Sequence, residues 1–206
     1  MSLPSLRLKP NADRRLRAGH LWVYSNEIDV AATPLNGFAP GAQAILEAAG
    51  GKPLGIVALS PNNLICARLL SRDAKLPLDK SLLVHRLNVC LSLRERLFDK
   101  PFYRLVYGDS DLLPGLVVDR FGDILVVQLA SATMEHHKED VLAALIQVLK
   151  PSGILLKNDS AARDAEGLNR YVETAFGLVP EWVALEENGV KFEAPVMEGQ
   201  KTGWFY

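Results

Sequence analysis

The run 102-FYRLVYGDSDLLPGLVVDRFGDILVVQLAS-131 decides how the second half of this chain is read. Apolar residues fill LVVDRF and ILVVQL on either side of Gly122-Asp123, and two β-rich runs parted by a Gly-Asp pair signal a tight antiparallel hairpin. Gly108-Asp109 breaks the same run once more, upstream. Downstream, the spacing predicts a helix from Thr133 to Lys150, with Thr133 as its cap and Pro151 to Gly153 as its stop. ILLKN then reads as a short buried strand and SAARDAEGLNRY as a loop or irregular helix, while WVALEENGVKFEAPV forms a second hairpin turning at Asn188-Gly189. The order strand, strand, helix, strand, strand, strand predicts a compact α+β domain over 101–196 rather than alternating βαβ units.

Upstream the texture changes. SLRLKPNADRRLRAGHLWVYSNEI opens as an alternating strand at Leu6 and Leu8; Asn11 offers an N-cap to a short helix that Gly19 closes, and an aromatic strand, LWVYS, follows. GAQAILEAAGGKPLGIVALS and NLICARLLS supply three more β-rich runs, joined across Gly50-Gly51 and Pro61-Asn62-Asn63. Together they predict a small, strongly curved β-domain over 1–72. Between the two units, 73–100 reads as a connector helix from Asp79 to about Phe98. Leu83, Leu87, Cys90, Leu91, Leu97 and Phe98 recur at helical spacing, with Arg86, Arg94 and Arg96 off most of that stripe.

With 206 residues, 49% hydrophobic and 23% charged, the chain is globular in composition, which excludes disordered and collagen-like classes. No uncharged apolar run reaches the ~18–20 residues of a membrane span, and MSLPSLRLKPNADRR lacks a signal core, so a cytoplasmic protein without a membrane partner is expected. Cys66 and Cys90 have neither CxxC nor Cys/His spacing and read as buried reduced thiols, with no disulfide or metal site expected. Charge is uneven along the chain: residues 1–72 carry eight Lys/Arg against four Asp/Glu, and residues 101–206 carry nine against sixteen. That polarity suits a front that meets a polyanion, and equally a solvated basic face.

The basic stretch is Arg7, Lys9, Arg14, Arg15 and Arg17, followed at once by His20, Trp22 and Tyr24. Guanidinium groups bind phosphate bidentately and aromatics stack on bases, a mixture suited to RNA. Trp22 itself reads as core. For Arg14, Arg15 and Arg17, phosphate contact is expected, because like charges on one short turn with only Asp13 beside them repel unless solvent or an anion screens them. Asp109, Asp111, Asp119 and Asp123 lack calcium-loop spacing and read as turn structure, and His136-His137 read as surface histidines. GxSxG, GxxxxGK[ST] and GxGxxG patterns are absent from the sequence.

KPNADRRLRAGHLWVYSNEI, YGDSDLLPGLVVDRFGD, RDAEGL and ENGVKFEAPVMEGQKTGWFY, in that order, resemble the PUA-domain-bearing class I methyltransferases that make 5-methylcytosine in 23S ribosomal RNA. The resemblance runs over essentially the whole chain. It implies a PUA-like small β-barrel, then a central α+β domain of strand-strand-helix-strand-strand type, with the family's C-terminal Rossmann-like methyltransferase domain absent. Residues 197–206 would be the first of that truncated domain. The family takes S-adenosylmethionine as cofactor, and the resemblance places Gln200, Lys201, Thr202 and Gly203 at matching positions beside it, a partial site that would leave this chain alone without bound cofactor. Neither Cys66 nor Cys90 stands in the family's Pro-Cys context, so no catalytic residue is carried over. The implied role is RNA recognition, with ribosomal RNA as partner and a homodimer possible, by a chain inactive alone. A stand-alone RNA-binding or adaptor module without enzymatic activity is the alternative.

Overall fold

The computed structural model describes residues 3–199. The first unit is a five-stranded sheet built from β1 (Ser5–Arg7), β2 (Trp22–Tyr24), β3 (Gln43–Glu47), β4 (Pro53–Leu59) and β5 (Ile65–Ser71), in the order β1-β3-β4-β5-β2. Its two edges meet just beyond β1 and β2. Leu8 bridges Ile28, the Lys9 amide donates to the Glu27 carbonyl at 2.8 Å, and the Asp29 amide donates to the Arg7 carbonyl at 2.9 Å, so the sheet closes on itself as expected for a small barrel. Leu6, Leu8, Val23, Ile28, Ala44, Leu46, Val57, Leu59 and Cys66 fill its interior. Tight curvature needs bulges, and the register shifts at Leu54 against β3 and at Leu70 against β4; between them Gly55 has φ +145°, where a Cβ would lie 2.1 Å from the Ser71 carbonyl oxygen.

The connector is an 18-residue helix, α2 (Lys80–Leu97), following the short α1 (Arg14–Arg17) of the barrel. Asp79 caps α2 by accepting from the Leu82 amide at 2.8 Å. Leu83, Leu87 and Cys90 face inward as the periodicity predicts, but Arg86 lies among them and is also buried. Its guanidinium donates to the carbonyls of Leu70 and Leu112, tying the barrel to the second unit. Carbonyl capture, which helical periodicity does not encode, explains why an arginine lies on the apolar stripe.

The second unit is a five-stranded sheet in the order β10-β9-β8-β7-β6, made from β6 (Phe102–Tyr107), β7 (Leu116–Phe121), β8 (Ile124–Leu129), β9 (Gly153–Asn158) and β10 (Tyr171–Gly177). Phe121 pairs with Ile124 across Gly122-Asp123, the expected hairpin. A second hairpin, β11 (Trp182–Glu187) with β12 (Val190–Pro195), turns at Asn188-Gly189 and packs Val183, Leu185 and Ala194 against Phe121, Val126 and Leu155.

Three sequence expectations are corrected here. The helix over 133–150 is two helices, α3 (Ala132–His136) and α4 (Lys138–Leu149), with the cap supplied by Ser131, which accepts from the Met134 amide, and not by Thr133, which is buried. Strand β10 was not anticipated, because its exposed residues outnumber its covered ones and leave no alternating pattern. The domain also does contain a βαβ unit: β8 and β9 pair in parallel, Ile124 opposite Gly153, with α3 and α4 as the crossover. The strand-strand-helix-strand-strand arrangement is therefore replaced by strand-strand-strand-helix-strand-strand with a separate hairpin.

One core spans both units. Ile56, Ala58 and Leu70 of the barrel pack with Leu78, Leu83 and Leu87, and these with Leu105, Leu113, Leu142 and Leu145 of the second unit. Polar contacts close the seam. Glu166, in the RDAEGL stretch, accepts from Ser60 Oγ at 2.9 and 3.0 Å, from Asn63 Nδ2 at 2.9 Å and from the Ala132 amide at 3.3 Å. Gln43 exchanges two hydrogen bonds with the Leu78 backbone, at 3.0 and 2.8 Å, and meets His137 Nε2 at 3.0 Å. Gly41 (φ +81°) lies so close to α3 that a Cβ would be 2.7 Å from the Ala132 carbonyl carbon.

A shared core predicts one cooperative urea transition followed alike by tryptophan fluorescence and circular dichroism. Glu166→Ala should lower unfolding free energy by about 2–3 kcal/mol, because a charged acceptor is removed from three donors, and Glu166→Gln should recover part of it.

Candidate nucleic-acid interface

Helix α1 is only four residues long, and one of them, Leu16, is buried in the barrel core. Anchoring Leu16 turns Arg14, Arg15 and Arg17 outward together. Asn11 does not cap the helix; it adopts φ +66°, while Gly19 at φ +108° ends it as expected. His20, exposed, follows directly, and Arg72 braces the turn by donating to the carbonyls of Leu16 at 2.9 Å and His20 at 3.3 Å.

The basic residues are not free cations awaiting an anion, which corrects the expectation that only Asp13 offsets them. Arg15 pairs with Glu27 at 2.6 Å and lies over the Tyr24 ring, 4.9 Å from its centroid. Arg17 pairs with Asp13 at 2.5 Å, and Arg7 with Glu47 at 2.9 Å. Lys9 donates to the Asn26 carbonyl at 2.9 Å. Hydrogen bonds from Ser5 and then Arg7 hold the Glu47 carboxyl below the usual range, and the bond from Arg17 does the same for Asp13. Arg14 is exposed and, among the described residues, has no ion-pair partner. The fold thus brings Arg14, Arg15, Arg17 and His20 to one face around α1; Arg7 lies on β1 against β3, and Lys9 just beyond β1 beside the Glu27 that holds Arg15.

Trp22 is not core. The inward residue of β2 is Val23, and Trp22 is half-buried on the opposite face, where it is aligned with Arg68 of β5. With Ala18, Gly19, His20 and Leu21 it forms one wall of a cavity of about 430 Å³ whose other wall is Asp109 and Ser110 of the second unit. Sequence reasoning could not find this cleft, because Asp109 is far from α1 in the chain.

Asp111 lies in a turn as expected, but Asp119 does not: it is a residue of strand β7, and both carboxylates are held by arginines. Asp111 takes both Arg94 nitrogens at 2.8 and 2.7 Å and the Tyr107 amide at 2.7 Å; Asp119, fully buried, takes Arg104 at 2.8 and 3.0 Å. Among the described residues no group of three or more His, Cys, Asp or Glu is placed to hold a metal ion. His136 is exposed, but His137 is not the surface residue expected: it is wedged between Gln43 and Asp140, the latter 3.1 Å away. No described helix is long and apolar enough to cross a membrane.

Cys66 and Cys90 are buried free thiols, and burial pushes each up to about 11. A thiol held there is a poor nucleophile at neutral pH. Both should resist iodoacetamide at pH 8 in the native chain and react within minutes in 6 M guanidinium, by mass spectrometry.

Gln200, Lys201, Thr202 and Gly203 lie outside the described residues. Lys157, buried in β9, donates to the Met197 carbonyl and so fixes the chain just before them. Where β8 enters α3, Ser131 Oγ accepts from the Met134 amide and Glu166 from the Ala132 amide, so these two amides of the helix start are already paired.

Comparison with known proteins agrees with this architecture. Residues 6–72 match the family model of the PUA-like domain. Ribosomal RNA large subunit methyltransferase I of Vibrio cholerae is 34% identical over 207 residues, covering 98% of this chain and 51% of that protein, and the Aliivibrio fischeri protein of the same name is 34% identical over 206 residues with the same coverage. A chain from Streptococcus mutans assigned as a SAM-dependent methyltransferase superposes with a TM-score of 0.79 at 20% identity, over 98% of this chain and 51% of that one. SMU.776, assigned as a methyltransferase and solved with SAH, gives 0.80 at 20% identity over 98% and 50%.

These matches overturn the expectation of a fold defined by an absent Rossmann-like domain. Nearly all of the chain is itself matched to methyltransferase structure, and its second unit carries a five-stranded sheet with a helix-crossed parallel pair. The sequence has no glycine-rich fingerprint, yet apolar strand pairing and not that loop builds this sheet. The chain spans about half the length of the curated relatives it matches, and its residues 6–72 match the model of the PUA-like domain.

Proposed function

We propose that this chain serves RNA recognition in S-adenosylmethionine-dependent methylation of large-subunit ribosomal RNA, at C5 of a cytosine. The observation that carries the reading is the exposed α1 face of the PUA-like barrel, where Arg14, Arg15, Arg17 and His20 converge beside a half-exposed Trp22. Similarity to ribosomal RNA large subunit methyltransferase I over 98% of the chain supports the substrate class.

Arg14, with no carboxylate partner among the described residues, makes the first phosphate contact. Arg15 and Arg17 then exchange Glu27 and Asp13 for phosphate oxygens, and Arg7 and Lys9 extend the track toward the barrel edge. Trp22 and His20 offer flat faces to unstacked bases. S-adenosylmethionine supplies the methyl group when bound. Gln200, Lys201, Thr202 and Gly203 are the residues proposed to contact it. Neither Cys66 nor Cys90 takes part in chemistry.

Fluorescence-anisotropy titration of a single-stranded ribosomal RNA fragment tests the docking role. Affinity should fall as salt rises from 50 to 200 mM, and Arg14→Ala should weaken binding of all sequences alike while reducing the salt slope by about one. Salt-independent affinity would remove the support for docking.

A further inference from the structure

The last residue of β6 is an aromatic that the fold holds open to solvent. Tyr107 is 58% exposed, although burying an aromatic ring is among the larger apolar gains open to a folding chain. A bulge in β6 aims it. In a regular strand, residues three apart lie on opposite faces. Here Arg104 pairs with Asp119 and Tyr107 with Val117, only two residues apart on β7, because Leu105 is an extra residue in the ladder. Arg104 and Tyr107 therefore share one face of the sheet, and the Arg104 guanidinium lies over the Tyr107 ring, 5.2 Å from its centroid.

Each part of this arrangement is anchored. Arg104 donates two hydrogen bonds to the fully buried Asp119, at 2.8 and 3.0 Å. Arg94 fixes the backbone on both sides of the bulge: its Nε donates to the Arg104 carbonyl at 3.1 Å, and its two other nitrogens hold Asp111, which accepts the Tyr107 amide at 2.7 Å. A buried carboxylate is costly unless it is paired, and this pairing delivers a cation to a ring that stays more than half in water. A guanidinium fixed on one side leaves ring surface for one more planar group, and nucleobases stack on tyrosine whatever their identity.

The ring also lies in line with the α1 face. Trp22 is aligned with Arg68 across β2 and β5, Arg68 Nε lies 4.0 Å from Asp109 across the seam, and Asp109 is two residues beyond Tyr107 in the turn that walls the cleft. An RNA strand leaving Trp22 over Arg68 meets the second unit at this turn.

We propose that Tyr107, backed by Arg104, is a base-stacking platform for single-stranded RNA on the second unit, continuing the track that begins at α1 and Trp22. The proposal rests on the RNA-docking reading above. It adds a contact that is neither electrostatic nor base-specific, made by the second unit and not by the barrel.

The test titrates two fluorescein-labelled strands against the full chain: a uridine dodecamer, and a dodecamer of the same backbone whose sugars carry no bases. Tyr107→Ala should weaken uridine binding roughly tenfold, as loss of one base stacked on one aromatic does. The salt slope should stay unchanged because no phosphate contact is lost, and affinity for the abasic strand should not move. Tyr107→Phe should bind like the unaltered chain, since stacking needs the ring and not its hydroxyl. Without any variant, a dodecamer carrying 5-iodouridine should crosslink under ultraviolet light to the peptide containing Tyr107. Unchanged uridine affinity in Tyr107→Ala, an equal loss for the abasic strand, or crosslinking that avoids that peptide would overturn the platform. Any of these outcomes alongside salt-dependent binding leaves RNA docking standing, whereas a chain that binds neither strand sinks both.

Discussion

The apolar core beneath α2 is the contact on which the rest of the molecule depends. Ile56, Ala58 and Leu70 enter it from the barrel, and Leu105, Leu113 and Leu142 from the second sheet, so neither unit can shift without opening apolar surface. Everything at the domain seam presupposes that packing. Glu166 can reach Ser60 and Asn63 only because the core sets the spacing, and Arg86 can be buried only because carbonyls from both units converge on it. The cleft holding Asp109 opposite Trp22 is a by-product of the same rigid join.

Two roles are divided between the units. The barrel presents the charged helix, positioned by the single buried residue Leu16, and the second sheet supplies the opposing wall of the cleft and a buried lysine that fixes the chain at Met197. The barrel alone would leave α1 without an opposing wall. Joined to the second unit, that face gains a recess.

Local signals were legible in the sequence, and long-range ones were not. Gly122-Asp123 and Asn188-Gly189 declared their hairpins, and Asp79 with the Leu83-Leu87-Cys90 stripe declared the connector helix, because turn chemistry and 3.6-residue periodicity act over a few residues. Parallel pairing of β8 with β9 escaped notice since its partners are separated by two helices, and β10 escaped because an edge strand with few covered residues shows no period. At the candidate interface the residue types were visible but their partners were not. Glu27 and Glu47 lie in other strands and turns from the arginines they neutralise, and Trp22 was read as core from its size when β2 points Val23 inward instead. The missed cleft belongs to the same class: only the tertiary join sets Asp109 beside His20.

Prior pairing of Arg15 and Arg17 with carboxylates makes the α1 face an ion exchanger more than a reservoir of open charge. A lone phosphate or chloride ion must displace an intramolecular carboxylate at high effective concentration for the gain of one contact. A polymer repays several displacements in a single binding event, because each contact made brings the next phosphate within reach. On the proposed docking role, such a surface favours long polyanions over the small anions of its solvent, which gain only the open Arg14.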